Sequence, residues 1–519
     1  VTKLRIFIFL FQFLILGVQD RKPPGSMASL DTSGSLAVEG RKGTLPVVSG
    51  KSAFGGLVLL ALGAASGWYF RDWSVKGKVE VTSVTRTSDS LVSSENPLER
   101  AFHTWSTSPE LAGALIGYCV FDEDGKLLYG SPLSGTALCP ASALKTVTAG
   151  AAFGLLGLDF RFQTEVLGAG SISSDGTLMG DLVLKGGGDP TLSSADLDAL
   201  ADRLVKAGLK HVGGSVLADA SIFPAEPVNE HWNWGDIGNA YGTGAYGLNV
   251  DHNVMTLWFD PGAQVGDPAI LGGSIPPLAG TRWDARVTTG LAGSGDKVSI
   301  FSSPYAEVIQ ARGTVPLGEK GFKVRGSVPN PPKLAEDLLR AALAKRGVAF
   351  GGKPQVEKKT VPLASHLSAP LADIIDHMQE VSDNLDAQCL FLTMGNRAGA
   401  PATQVVKKYW EDAGVSFTGL RMIDGSGLAR ATMITPVDLT RVNIAALKGP
   451  HGERYIQSLP ASSDGEMRSK RGAMSGVKTE VGFIIRGGKI YPFALMANGL
   501  GPSVDFWKLR TSLLDSIGK

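Results

Sequence analysis

The sequence predicts an α/β sandwich whose sheet is closed by both ends of the globular chain and which carries a large, mostly-β insertion. Three observations predict it. Hairpin patterns stand at residues 115–129 and 480–497. Helical patterns follow the first and precede the second. Between them, from about residue 162 to about 328, short strands alternate with Gly/Pro/Asp turns such as Gly186-Gly187-Gly188-Asp189-Pro190.

The elements follow in order. Ile6 to Val18 lies behind Lys3 and Arg5 and has the length of a signal-peptide core, too short to span a bilayer. Ser52 to Phe70 carries no charge between Lys51 and Arg71. At about 1.5 Å per residue it reaches about 28 Å, close to the bilayer core. Trp68, Tyr69 and Trp73 give it an aromatic interface at one end. A Ser/Thr-rich linker, Thr82 to Ser94, follows, so the segment is expected to be a membrane anchor. Met27 is the first methionine and the expected start. Residues 1–96 are thus read as tail, anchor (52–70) and linker.

Leu115–Phe121 and Lys126–Tyr129 flank the turn Asp122-Glu123-Asp124-Gly125, a hairpin signal. Ala141 to Leu156 is small and apolar behind Pro140 and reads as a buried helix with proline in its first turn. Residues 97–161 form the first part of the main domain, 162–328 the insertion and 329–519 the second part. That second part opens on a helix at Pro332, with Leu334, Leu338, Leu339, Ala342 and Leu343 on one side and Gly347 as its stop. Helices at Leu371–Met378 and Thr403–Ala413 follow. Strands Glu480–Ile485 and Ile490–Ala497 then flank Arg486-Gly487-Gly488-Lys489.

Composition excludes several classes. The 519 residues carry 50 Lys+Arg against 49 Asp+Glu, so neither a nucleic-acid surface nor an acidic tail is signalled. The three cysteines, Cys119, Cys139 and Cys389, form no C-x-x-C pair, so neither zinc nor a disulfide framework is indicated. The seven histidines are scattered without ligand spacing, and no metal is expected. Gly242-Thr243-Gly244-Ala245-Tyr246-Gly247 fits G-x-G-x-x-G, but the strand-like Leu248 to Phe259 follows it. A dinucleotide site needs a helix there. No cofactor is called for.

The chemistry lies in three short motifs. Ser142-Ala143-Leu144-Lys145 is an S-x-x-K at a helix start, where positions i and i+3 share a face. Burial lowers a lysine pKa, so Lys145 can take the proton of Ser142. Ser382-Asp383-Asn384 is an S-x-N element, with a hydroxyl to relay protons and an amide to hold a carbonyl. A third element, Lys-Thr/Ser-Gly, belongs on a C-terminal edge strand. Lys478-Thr479-Glu480 lacks the glycine, and Lys470-Arg471-Gly472 lacks the hydroxyl.

Over roughly residues 97 to 515 the chain resembles the class C low-molecular-mass penicillin-binding proteins, serine D-alanyl-D-alanine carboxypeptidases and endopeptidases. Besides Pro140 to Lys145 the resemblance rests on Gly180-Asp181-Leu182, Gly186 to Leu192, Trp232 and Trp234, Tyr241-Gly242, Leu248-Asn249 and Pro261-Gly262. It rests further on Ser382-Asp383-Asn384-Leu385 and Asp424-Gly425-Ser426-Gly427-Leu428. Arg468 to Val477 and Gly482-Phe483-Ile484 match the family without a gap, which makes Lys470 the third lysine and Lys478 an ordinary strand residue. The resemblance implies a β-lactamase/penicillin-binding transpeptidase-like fold. It implies an acyl-enzyme on Ser142, with the oxyanion held by N–H groups of Ser142 and Ala473 beside Gly472. Ser382 and Lys470 would return a proton to the leaving group. Peptidoglycan stem peptides and β-lactams are the expected partners, and the cytoplasmic membrane's outer side is the expected location.

Arg471 stands where the family has threonine. A guanidinium offers a bidentate partner for a terminal carboxylate, so Arg471 is expected to bind substrate. The alternative is a tethered wall-binding protein whose turnover Arg471 has impaired. A β-lactamase is a further alternative, which an insertion this long fits poorly.

Overall fold

The computed structural model describes residues 96–352 and 359–519. The proposed anchor Ser52–Phe70 and the apolar segment Ile6–Val18 lie outside the described residues. Among the described residues no helix is long and apolar enough to cross a membrane.

The central sheet has five strands in the order Met467–Met474, Val477–Arg486, Lys489–Asn498, Leu115–Phe121, Leu127–Gly130. All neighbours are antiparallel. Ile116 sits opposite Ala497 and Val120 opposite Phe493, so the two ends of the globular chain close the sheet, as the hairpin patterns predict. Side chains alternate between its faces. Cys119, Phe121, Val481, Phe483, Ala494 and Met496 join one buried cluster. Tyr118, Val120, Phe493, Leu495 and Ala497 join another, with helices Pro97–Ser106 and Phe506–Leu514.

The first cluster is built around helix Lys145–Leu156, in which every residue from Lys145 to Phe153 is buried. A helix buried all round shows no apolar stripe; its small residues are what let neighbours approach. A Cβ at Gly150 would lie 2.7 Å from the Trp410 ring. Trp410 Nε1 donates to Val147 O at 3.2 Å. Helices Leu371–Glu380, Asn384–Ala398 and Pro436–Lys448 complete this layer.

The insertion has its own core and is longer than the sequence pattern implies. Helix Pro331–Lys345, expected to open the second part of the main domain, belongs to the insertion instead. Leu334, Ala335, Leu339, Ala342 and Leu343 pack into one cluster with Leu197, Leu200, Ala201 and Leu204 of helix Ser194–Lys206. Arg346 also bridges to Asp198 and Asp202. Strand Thr360–Leu367 then pairs antiparallel with Gln163–Ala169, so the chain leaves and re-enters the main domain on adjacent strands. Amphipathic spacing identifies this helix but not the core its stripe faces, which is why the boundary moves from 328 to the end of that strand. The three cysteines are buried and unpaired.

Leu339→Ala tests the boundary. It should cost about 2–5 kcal/mol and raise amide exchange first in residues 163–219 and 331–345. Earlier opening of helix Lys145–Leu156 would return Pro331–Lys345 to the main domain.

Candidate active site

Ser142 sits in a 3₁₀ turn, Ala141–Leu144, that runs into helix Lys145–Leu156. Ala141 takes φ +48°, an uncommon backbone for a residue with a Cβ. Two glycines clamp this turn. A Cβ at Gly427 would lie 1.9 Å from Ala141 O, and one at Gly472 would lie 2.5 Å from Pro140 O and 3.0 Å from Ser142 N. Only glycine lets the Asp424–Leu428 turn and the edge strand come so close.

Lys145 is fully buried. Its Nζ lies 3.0 Å from Ser142 Oγ, 2.5 Å from Asn384 Oδ1 and 3.0 Å from Ser426 O. Burial, and then the positive charge of Lys470, bring its pKa down to about 7. A neutral amine has two N–H donors and one lone pair. Asn384 Oδ1 and Ser426 O accept the two donors, which aims the lone pair at the Ser142 hydroxyl.

The partners of Lys145 are themselves fixed. Asp424 accepts from Gly427 N at 2.7 Å, Ala429 N at 2.8 Å and Trp232 Nε1 at 2.7 Å. It thereby folds the turn that presents Ser426 O. Asp383 caps helix Asn384–Ala398, accepting from Leu385 N at 2.8 Å and Asp386 N at 3.1 Å. Asn384 Nδ2 donates to Tyr241 O at 2.7 Å, and Ser382 takes φ +61°. Trp232 and Tyr241 come from the insertion, so it holds the site directly.

Lys470 is on the edge strand Met467–Met474, nearly buried, with Nζ donating to Gln379 O at 2.8 Å. Burial brings its pKa down to about 8. Ser469 N donates away from the sheet to Pro460 O. Alternation along the strand therefore points Ala473 N–H to the same free edge. The competition between the two lysine motifs resolves in space. Lys470 and Gly472 face the Ser142 turn. Lys478 lies opposite Ala473, its ammonium 5.8 Å from the centre of the Trp507 ring on helix Phe506–Leu514.

Arg471 does not take the role expected of it. Strand alternation turns it to the face opposite Lys470 and Gly472. Its Nε donates to Glu480 Oε1 at 3.1 Å, and its guanidinium stacks 5.0 Å over Trp507. Glu480, fully buried, also pairs with Arg510 and accepts from Ser469 Oγ at 2.8 Å. The carboxylate that Arg471 binds is thus the protein's own. A guanidinium on that face does not crowd the cleft either, which removes the feature behind the impaired-turnover alternative. The fold gathers Ser142, Lys145, Asn384, Lys470 and Gly472, with Ser382 and Ala473 beside Asn384 and Gly472 in the chain. Sequence reasoning missed the parts of Ser426, Asp424, Trp232 and Tyr241. Backbone acceptors leave no residue-type signal, and only the Asp-Gly-Ser-Gly turn hinted at them.

Residues 98–508 match the D-Ala-D-Ala carboxypeptidase 3 (S13) family. The chain belongs to this family of serine peptidases. One relative, the D-alanyl-D-alanine carboxypeptidase of an Actinomadura species, is 31% identical over 429 residues, covering 75% of this chain and 79% of the relative. The D-alanyl-D-alanine carboxypeptidase DacB of Haemophilus influenzae is 26% identical over 382 residues, 70% of this chain and 78% of the relative. The fold matches the crystal structure of penicillin binding protein 4 from Haemophilus influenzae with a TM-score of 0.68 at 23% identity, covering 81% of this chain and 97% of that one. A complex of the same protein with a β-lactam matches with a TM-score of 0.65.

Arg471→Ala should leave the ratio of kcat/KM for acid and C-terminal amide substrates within about twofold of the parent, because its guanidinium is engaged by Glu480 and Trp507 on the face of the strand away from the cleft. A loss of tenfold or more confined to the acid substrate would restore Arg471 as a carboxylate clamp.

Proposed function

We propose that this S13 peptidase cleaves the bond between two D-alanines of peptidoglycan stem peptides through an acyl-enzyme on Ser142. The observation that carries the reading is the buried amine of Lys145, poised between Ser142 Oγ and two fixed acceptors. Lys145 takes the Ser142 proton as Oγ attacks the carbonyl carbon. The N–H groups of Ser142 and Ala473 receive the oxyanion. Ser382 and Lys470 deliver a proton to the departing D-alanine, and water then releases the acyl chain. Lys470, cationic and at the cleft edge, is also the partner for the substrate's free carboxylate now that Arg471 is committed to Glu480. Cross-link cleavage uses the same atoms with a longer leaving amine, and a β-lactam stops at the acyl stage. The reading puts the enzyme outside the cytoplasmic membrane, where its substrate is, with Ser52–Phe70 as tether; support for that comes from the sequence alone.

Penicillin should add one acyl group, seen by mass spectrometry, and Ser142→Ala should abolish both that adduct and D-alanine release from a pentapeptide. An adduct that persists in Ser142→Ala sinks the assignment.

The two lysines set a pH window. Acylation needs Lys145 neutral, so its rate should rise as pH climbs through about 7. Carboxylate binding and proton delivery need Lys470 cationic, so efficiency on acid substrates should fall as pH passes about 8. The charge on Lys470 lowers the proton affinity of Lys145, so the acid limb reports the pair. A rate that stays flat down to pH 5 would remove Lys145 as the base.

A further inference from the structure

The fold gathers four donors that sequence spacing does not advertise, directly behind the S-x-N loop. His252 lies in a turn of the insertion where Asp251, His252 and Asn253 all take positive φ. His377 stands on helix Leu371–Glu380. Asp383 caps helix Asn384–Ala398 and Asp386 stands in its first turn. One donor atom from each lies within 4.8 Å of the others.

The donor atoms that face one another here are engaged only within the cluster. Asp386 is fully buried, and its Oδ1 has no hydrogen-bond partner, a costly state for a carboxylate oxygen. His252 Nδ1 has none either. It stands 3.5 Å from Asp383 Oδ2 and 3.8 Å from Asp386 Oδ1. Those gaps are too long for good N–H···O bonds. They are close to the ~3.4 Å edge between two ligands that each sit about 2.0–2.1 Å from a tetrahedral zinc. Helix capping occupies only Oδ1 of Asp383, leaving Oδ2 available. His377 Nδ1 lies 2.7 Å from Asp386 Oδ2, and the proton between them leaves to solvent when a cation takes its place. The His377 side chain is 42% exposed, which gives a hydrated ion a way in.

We infer that His252, His377, Asp383 and Asp386 bind one divalent cation of the zinc class, which ties the insertion to the loop carrying Ser382 and Asn384. Two carboxylates neutralise the ion's charge. Two imidazoles select zinc, cobalt or nickel over magnesium and calcium, which prefer oxygen ligands throughout. The site does not depend on the peptidase reading, since none of the four side chains touches Ser142 or Lys145.

The test uses the full chain, stripped with a chelator and titrated with Zn²⁺ against a chromophoric competitor. A parallel Co²⁺ titration is followed by visible absorption. One equivalent of Zn²⁺ should bind, Co²⁺ should show the intense d–d bands of a tetrahedral site, and excess Mg²⁺ should displace neither. His377→Gln and Asp386→Asn should each weaken Zn²⁺ binding by more than about 100-fold, beyond the 10–100-fold that outer-shell changes cost. His103→Ala, at an exposed position on the helix across the sheet, should leave it intact. Added Zn²⁺ should raise the melting midpoint of the parent but not of the two variants. Absence of stoichiometric binding by the parent overturns the site, and so does parental affinity in both variants. The near-isosteric Asp386→Asn and the surface change His377→Gln guard against misfolding; each is compared with the parent by circular dichroism before metal is added.

Discussion

An amine with no access to water sits at the centre of this molecule, and most of the surrounding architecture exists to keep it there. Left uncompensated, a buried lysine is among the more expensive groups a fold can hold. Lys145 is compensated by three hydrogen-bonding partners drawn from three distant stretches: Ser142, Asn384 and Ser426. Each partner has its own support. Gly427 and Gly472 press on the Ser142 turn, Asp383 caps the Asn384 helix, and Asp424 folds the turn of Ser426. Removing any one layer leaves an unpaired polar group beside a buried amine, so the support is stringent for electrostatic reasons before catalysis is considered.

The second lysine works by a different balance. Lys470 is nearly buried, and its ammonium has a single backbone acceptor, Gln379 O. Two such amines near one another cannot both be cationic cheaply. Burial acts more strongly on Lys145, and the sequence order of proton loss follows from it: Lys145 gives up its proton first. The same sheet carries a third cationic cluster on its other face, where Arg471 and Arg510 share buried Glu480 beside Trp507. A single edge strand thus sends charge in both directions, and the alternation of the backbone keeps the two sets apart.

How much of this was legible in the sequence depends on what kind of signal each feature leaves. The nucleophile helix, both terminal hairpins and the lysines and serines of the three motifs announce themselves by residue type and spacing. Lys470 is separable from Lys478 only by register, which puts it on the face of the edge strand toward the Ser142 turn. The direction of Arg471 is not legible, because its neighbours in sequence are at the site while its side chain, one residue out of phase, is not. The helix at Pro331 is legible but the core it faces is not, because an apolar stripe does not name its partner. The roles of the backbone acceptors Ser426 O and Tyr241 O leave no mark even where their residues belong to recognisable turns, since every residue has a carbonyl. The grouping of His252 with His377, Asp383 and Asp386 was invisible for a related reason: it is assembled by tertiary contact, not by local periodicity.

The hydrogen bonds from Trp232 to Asp424 and from Asn384 to Tyr241 O carry one more consequence. The insertion enters and leaves on neighbouring strands, which topologically would let evolution trade it as a cassette. Yet its side chains and backbone complete the shell around the buried amine. A lineage that shed or exchanged the insertion would have to find new acceptors and donors for Asn384 and Asp424 at the same moment. The appendage and the catalytic centre are therefore bound to change together, and drift in one is policed by the other.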